Sequence, residues 1–155
     1  MSIFRNPLPG LEGYGEIEKD AARGAGPLLV TGLSDSAKAH FIAELASADR
    51  PWKLVVTHDE AAARSICDDL RSFSGHVWLY PARDLLFYTA DIRGFEVSRD
   101  RISVWRHMAE DPEGIVVTTV DALMDRLDEP ERFRGSVFTI TEDDQLDPQD
   151  RKSVV

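Results

Sequence analysis

A single cysteine, Cys67, occurs in 155 residues, which rules out a disulfide framework within the chain and leaves a structural zinc site short of thiolates. The four histidines, His40, His58, His76 and His107, show neither H-x-H nor H-x-x-x-H spacing, so no metal site is expected. There is no G-x-S-x-G motif, and no histidine adjoins Ser34 or Ser36 in sequence to act as their base; no catalytic residue is expected. No hydrophobic run approaches the roughly 18 residues of a membrane helix. The first residues carry no apolar core behind Arg5, unlike a secretory signal. Together with the lone thiol, this suits a reducing cytoplasm. Basic runs longer than two are missing as well. With 28 acidic and 18 basic residues the net charge is −10, the wrong sign for a module that grips a phosphate backbone by itself. Direct DNA binding is therefore not expected, and a protein partner fits better. Internal repeats and low-complexity tracts are also absent.

What remains is the composition of a soluble globular domain, 43% hydrophobic and 30% charged, long enough for one conventional core. Residues 1–26 mix prolines and glycines with a short acidic stretch and read as a loose leader with a helical turn or two over 17–23. Continuous apolar runs at 27–31, 53–57, 77–80 and 114–118 have the pattern of strands covered on both faces. Between them lie segments of helical period. Residues 36–48 carry Ala37, Phe41, Ile42, Leu45 and Ala48; the stretch after 57 carries Ala62, Ala63, Ile66, Cys67, Leu70 and Phe73. The latter is expected to start on a capping box, Thr57 with Glu60, and to stop at Ser74-Gly75. A third helix over 97–109 is expected to turn Ile102, Trp105 and Met108/Ala109 inward, and Thr119 to cap a short helix burying Ala122, Leu123 and Leu127. Trp52, Trp78 and Trp105 read as packing residues. Strands alternating with helices imply an α/β fold with parallel pairing and right-handed crossovers.

The chemistry-bearing stretch is Val30-Thr31-Gly32-Leu33-Ser34-Asp35-Ser36-Ala37-Lys38-Ala39. Strand, glycine, then lysine opening a helix is the layout of a phosphate-binding loop, G-x-x-x-x-G-K-[ST]. Gly32 and Lys38 are in place, and Ser36 lies between them. Ala37 replaces the second glycine, and Ala39 replaces the hydroxyl that would ligate Mg²⁺. An alanine offers a hard cation no oxygen. The loop reads as a relic without a nucleotide cofactor; the alternative is a domain that keeps ATP affinity through Gly32 and Lys38. Either way Ser36 or Asp35 is available to cap the helix.

Residues 82–95 are too apolar for an idle loop and lack a clean period. Arg83, Phe87, Tyr88 and Arg93 form an arginine/aromatic mixture of the kind that interaction surfaces favour, and Arg99 and Arg101 follow. The polar, proline-broken run at 128–135 reads as a boundary. Beyond it 136–141 alternates apolar and polar as a half-exposed strand would, and Glu142-Asp143-Asp144 reads as a solvated turn.

The order of the loop at 30–39, then Tyr80-Pro81-Ala82-Arg83-Asp84-Leu85-Leu86-Phe87-Tyr88, then Arg99-x-Arg101 and Thr118-Thr119-Val120-Asp121-Ala122-Leu123-Met124, resembles the N-terminal module of the transcription-repair coupling factor (Mfd) family. That module is similar to the helicase UvrB. The resemblance implies a helicase/RecA-like α/β domain with a short parallel sheet flanked by helices. It further implies a non-hydrolysing phosphate loop, ATP being used by a separate motor in the parent protein. It divides the chain into a leader (1–26), a UvrB-like domain (27–128), and a linker with the truncated start of a second domain (129–155). It also implies a docking role toward the excision-repair protein UvrA, mainly through that second domain, alongside the parent's other domains, RNA polymerase and DNA.

Overall fold

The computed structural model describes residues 8–45, 51–83, 92–125 and 130–136. A 3₁₀ turn (Leu8–Gly10) leads into α1 (Tyr14–Arg23) and then α2 (Asp35–Glu44). There follow β1 (Trp52–Thr57), α3 (Glu60–Arg71), β2 (Val77–Tyr80), α4 (Ile92–Glu110), β3 (Gly114–Thr119), a single turn α5 (Val120–Leu123), and α6 (Pro130–Ser136). The three strands make one parallel sheet in the order β1-β3-β2, with Leu54 opposite Val116 and Trp78 opposite Val116 on the other side. The α/β class with a short parallel sheet between helices is as expected.

Strand β3 is buried along its whole length, because it lies between two partners and beneath helices on both faces. Its alternate side chains divide two apolar clusters between them. Ile115 and Val117 pack with Ala39 of α2, Ala63, Cys67 and Leu70 of α3, and Val77. Val116 packs on the opposite face with Tyr80, Val104 of α4 and Ala122, rimmed by Trp52, Trp78 and Trp105. The three indoles are thus packing residues. The Cys67 thiol is buried, and that burial pushes its pKa up.

Several local expectations are corrected. Residues 27–31 form no strand: the run lies outside the sheet, and Leu29 is 90% exposed. Thr57 does not cap α3. Asp59 does, its Oδ1 accepting from the Ala62 N–H at 2.7 Å, while Thr57 Oγ1 donates to the carbonyls of Asp59 and Thr118. A carboxylate two residues nearer the helix displaces the hydroxyl. The helix stops at Ser72 rather than at Ser74-Gly75. In α4 the inward face is displaced by a residue: Arg101 and Val104 are buried, whereas Ile102 and Met108 are each 47% exposed and Trp105 sits at the rim. The helix is also longer than its apolar period suggested, starting at Ile92. Ala122 is buried as expected, but Leu123 is exposed.

The leader is more structured than its composition indicates. Tyr14 is buried, its ring edge-on to Phe41 of α2 with centroids 5.8 Å apart. The proline-broken run forms α6, which brings Phe133 to 5.5 Å from Trp105, ring centre to ring centre. Of the strand expected at 136–141, Ser136 is instead the last residue of α6; 137–141, the acids at 142–144, Ala48 and Leu127 lie outside the described residues.

Candidate functional site

The loop expected to bind phosphate runs from Gly32 into the first turn of α2. Gly32 has φ 82°, a left-handed backbone that favours glycine, so the chain does turn sharply where the motif requires it. The groups that would meet a phosphate are otherwise engaged or turned away. Lys38 Nζ donates to Asp35 Oδ1 at 2.9 Å across one turn of its own helix. That lysine holds the Asp35 carboxyl below its usual range. Ser34 occupies the N-cap without a side-chain hydrogen bond, so neither Ser36 nor Asp35 serves as the cap, and Ser36 is exposed. Ala39 is 0% exposed and belongs to the apolar cluster of Ala63, Cys67 and Leu70. Position 39 is a packing position between α2 and α3. Among the described residues, no group of three or more His, Cys, Asp or Glu is placed to hold a metal ion.

The arginine/aromatic segment divides differently. Arg83 is exposed, its Nε 4.0 Å from Asp125 Oδ2. Phe87 and Tyr88 lie outside the described residues, as does the side chain of Arg93, whose backbone belongs to the first turn of α4. The residue the sequence undervalued is Arg101. It is 4% exposed, donates from Nη1 to the Pro81 carbonyl at 2.9 Å, and sits 3.0 Å from Asp125 Oδ2. That carboxylate oxygen has no hydrogen bond aligned to it, so the attraction is Coulombic rather than a directed bond. Thr118 Oγ1 donates to the Tyr80 carbonyl at 2.9 Å, and Trp105 Nε1 to the Tyr80 hydroxyl at 3.5 Å. The carboxyl ends of β2 and β3 are thereby tied to α4. The signal for this was the Tyr80-Pro81 corner itself, a strand end whose carbonyls need donors.

Three curated proteins similar to this chain share one description. The chain is 26% identical over 132 residues (84% of it) to the transcription-repair-coupling factor of Staphylococcus haemolyticus. It is 28% identical over 122 residues (77%) to that of Bacillus subtilis and 25% identical over 132 residues (84%) to one from Staphylococcus epidermidis. Its curated relatives are transcription-repair-coupling factors. The resemblance read from the loop and the Tyr80-Pro81 corner therefore extends over most of the chain. The matched region is 10–11% of the length of each coupling factor, so the chain spans about a tenth of the curated relatives. No family model matches, and no solved structure matches.

The segment shared with the coupling factors carries a second surface feature. On the face of the sheet opposite α2 and α3, Trp52, Leu54, Tyr80, Trp105, Met108 and Leu123 line an almost wholly apolar groove of about 230 Å³. Leu54 is exposed there; Val56 of the same strand, Val120 of α5 and Met124 at its C-cap are exposed as well. Among the described residues, no helix is long and apolar enough to cross a membrane.

Proposed function

We propose that this chain is a non-catalytic docking module from the amino-terminal part of a transcription-repair coupling factor, working in the cytoplasm. In this reading it helps recruit UvrA to stalled RNA polymerase, with DNA and ATP handled elsewhere in the parent protein. The observation that carries the non-catalytic half is the burial of Ala39. Where a phosphate loop needs a hydroxyl on Mg²⁺, this chain has a methyl group packed between two helices. Phosphoryl transfer rests mostly on metal and lysine electrostatics, and here the metal ligand is missing and Lys38 is drawn to Asp35. The acidic balance of the chain supports protein rather than DNA as the direct partner. The exposed Arg83 and the apolar groove are surfaces of the kind partners cover. Phe87, Tyr88 and Arg93 are kept as interaction residues in this reading.

Two measurements test it. Labelled ATP with Mg²⁺ is titrated into the chain: no saturable binding is expected, and micromolar, Lys38-dependent binding would favour the ATP-affinity alternative through Gly32 and Lys38. UvrA capture is compared between this chain and the same chain extended past residue 155 with the parent sequence. Capture by the extended form is expected, and failure of both forms sinks the docking role.

A further inference from the structure

Helix α6 has little of its own to hold it. Pro130 at its first position and Glu131 in its first turn start a helix well. At seven residues, with Gly135 in its last turn, it is too short to persist in water unaided. Among its described side chains, Glu131, Arg132 and Gly135 are exposed and Phe133 is half-buried. Its helical state therefore rests on tertiary contact.

Phe133 supplies one such contact, its ring centre 5.5 Å from that of Trp105 on α4. A second lies earlier in the chain, where Asp125 Oδ2 is 3.0 Å from Arg101 Nη1 and 4.0 Å from Arg83 Nε. Arg101 and Trp105 stand four positions apart on α4, so they share one face of that helix, about 6 Å apart along its axis. Both are fixed from beneath by the end of β2. Arg101 is 4% exposed and donates to the Pro81 carbonyl, and Trp105 Nε1 donates to the Tyr80 hydroxyl. One stripe of α4 thus meets the chain twice, once through a carboxylate and once through a ring.

We infer that Asp125 and Phe133 form a two-point clasp that docks α6 on α4, and that this clasp opens as a unit while the sheet stays folded. The short stretch of chain between the two anchors keeps Phe133 near Trp105 once Asp125 is in place, so each contact strengthens the other. Neither anchor belongs to the core: Phe133 is half-buried and Asp125 partly exposed, so release leaves the packing around β3 intact. Trp105 also lines the apolar groove. Opening the clasp therefore loosens one wall of that groove, and a ligand that moves this ring acts on the clasp in return. The clasp follows from the contacts on α4 and does not depend on the docking role proposed above.

Hydrogen exchange on the full chain tests this. The amides of 134–136, whose helical partners lie four residues back, are expected to exchange about tenfold or more slowly than an unstructured peptide, yet much faster than those of β3. Phe133→Ala is expected to bring 134–136 to the unstructured rate while β3 remains protected far above it. Asp125→Asn keeps the ring contact and is expected to speed 134–136 by about twofold to fivefold, again with β3 protected. Exchange of 134–136 at the unstructured rate in the unaltered chain overturns the inference, because α6 is then not docked. So does protection of 134–136 equal to that of β3, or β3 falling to the unstructured rate in Phe133→Ala, since α6 would then belong to the core. An unchanged rate at 134–136 in Asp125→Asn overturns the two-point clasp.

Discussion

The guanidinium carbon of Arg101 lies 4.3 Å from the centre of the Tyr80 ring, while its Nη1 donates to the carbonyl of Pro81, the next residue. One side chain thus fixes both the ring and the backbone at the end of β2. A planar cation is needed for this, because it can face a ring and donate in its own plane at once. Arg101→Lys is expected to destabilise the chain by about 2–3 kcal/mol in urea unfolding, since a buried charge loses its partners. Asp125 is partly exposed, so Asp125→Asn is expected to cost less than about 1 kcal/mol. Equal costs for the two substitutions would show that the ion pair, not the ring and carbonyl contacts, holds the corner.

Restoring the textual motif does not restore the site. Ala39→Thr places two extra heavy atoms, a methyl carbon and a hydroxyl oxygen, in the interface of α2 with α3. The expected cost is about 1–3 kcal/mol. No Mg²⁺-dependent ATP binding is expected to appear, and calorimetric titration checks that directly. If the threonine variant binds Mg²⁺–ATP while retaining its melting temperature, position 39 faces the loop and its burial is not decisive.

Lys53 joins β1 to the end of α2, and burial holds its pKa below the usual lysine value, with Glu44 and Glu113 opposing that shift. In the alkaline range between this lowered value and the unfolded one, the unfolded chain binds more protons than the folded chain. The contribution of this group to stability therefore rises with pH through that window. Lys53→Met leaves the carbonyls of Ile42 and Ala43 without their donor. It is expected to cost about 1–2 kcal/mol and to remove this alkaline component from the pH profile of unfolding. A variant whose profile matches the parent above neutrality would assign the component to another group.

Gly114 lies under two indoles whose ring centres are 5.4 Å apart, and a β-carbon there would run into Cζ3 of both Trp78 and Trp52. Gly114→Ala is expected to push the pair apart, lower stability by about 1–3 kcal/mol and change tryptophan fluorescence. An unchanged emission spectrum would mean that the rings yield without separating.

Much of the architecture was legible in the residues themselves. The apolar runs at 53–57, 77–80 and 114–118 became strands because β-branched and aromatic residues in unbroken sequence suit a pleated sheet. Only 114–118 is buried along its whole length, whereas Leu54 and Val56 in the first run are exposed. The face of α3 was legible for the same kind of reason: Ala63, Cys67 and Leu70 recur at helical spacing and lie in the core. In α4 the periodicity misled, because a buried cation counts as polar in any apolar pattern. Arg101 is inside through its partners Tyr80, Pro81 and Asp125, which are 20 or more residues away along the chain.

The loop at Gly32–Ala39 shows the same division most clearly. Residue identity alone determined that no side-chain oxygen at 39 could meet a cation, and that glycine would make the turn at 32. Only the tertiary structure decided that position 39 faces α3 and that residues 27–31 lie off the sheet. Local sequence limits what a backbone and side chain can do. Which way they point is settled by contacts between segments far apart in the chain, and those are paid for by burial of the whole core rather than by any single element.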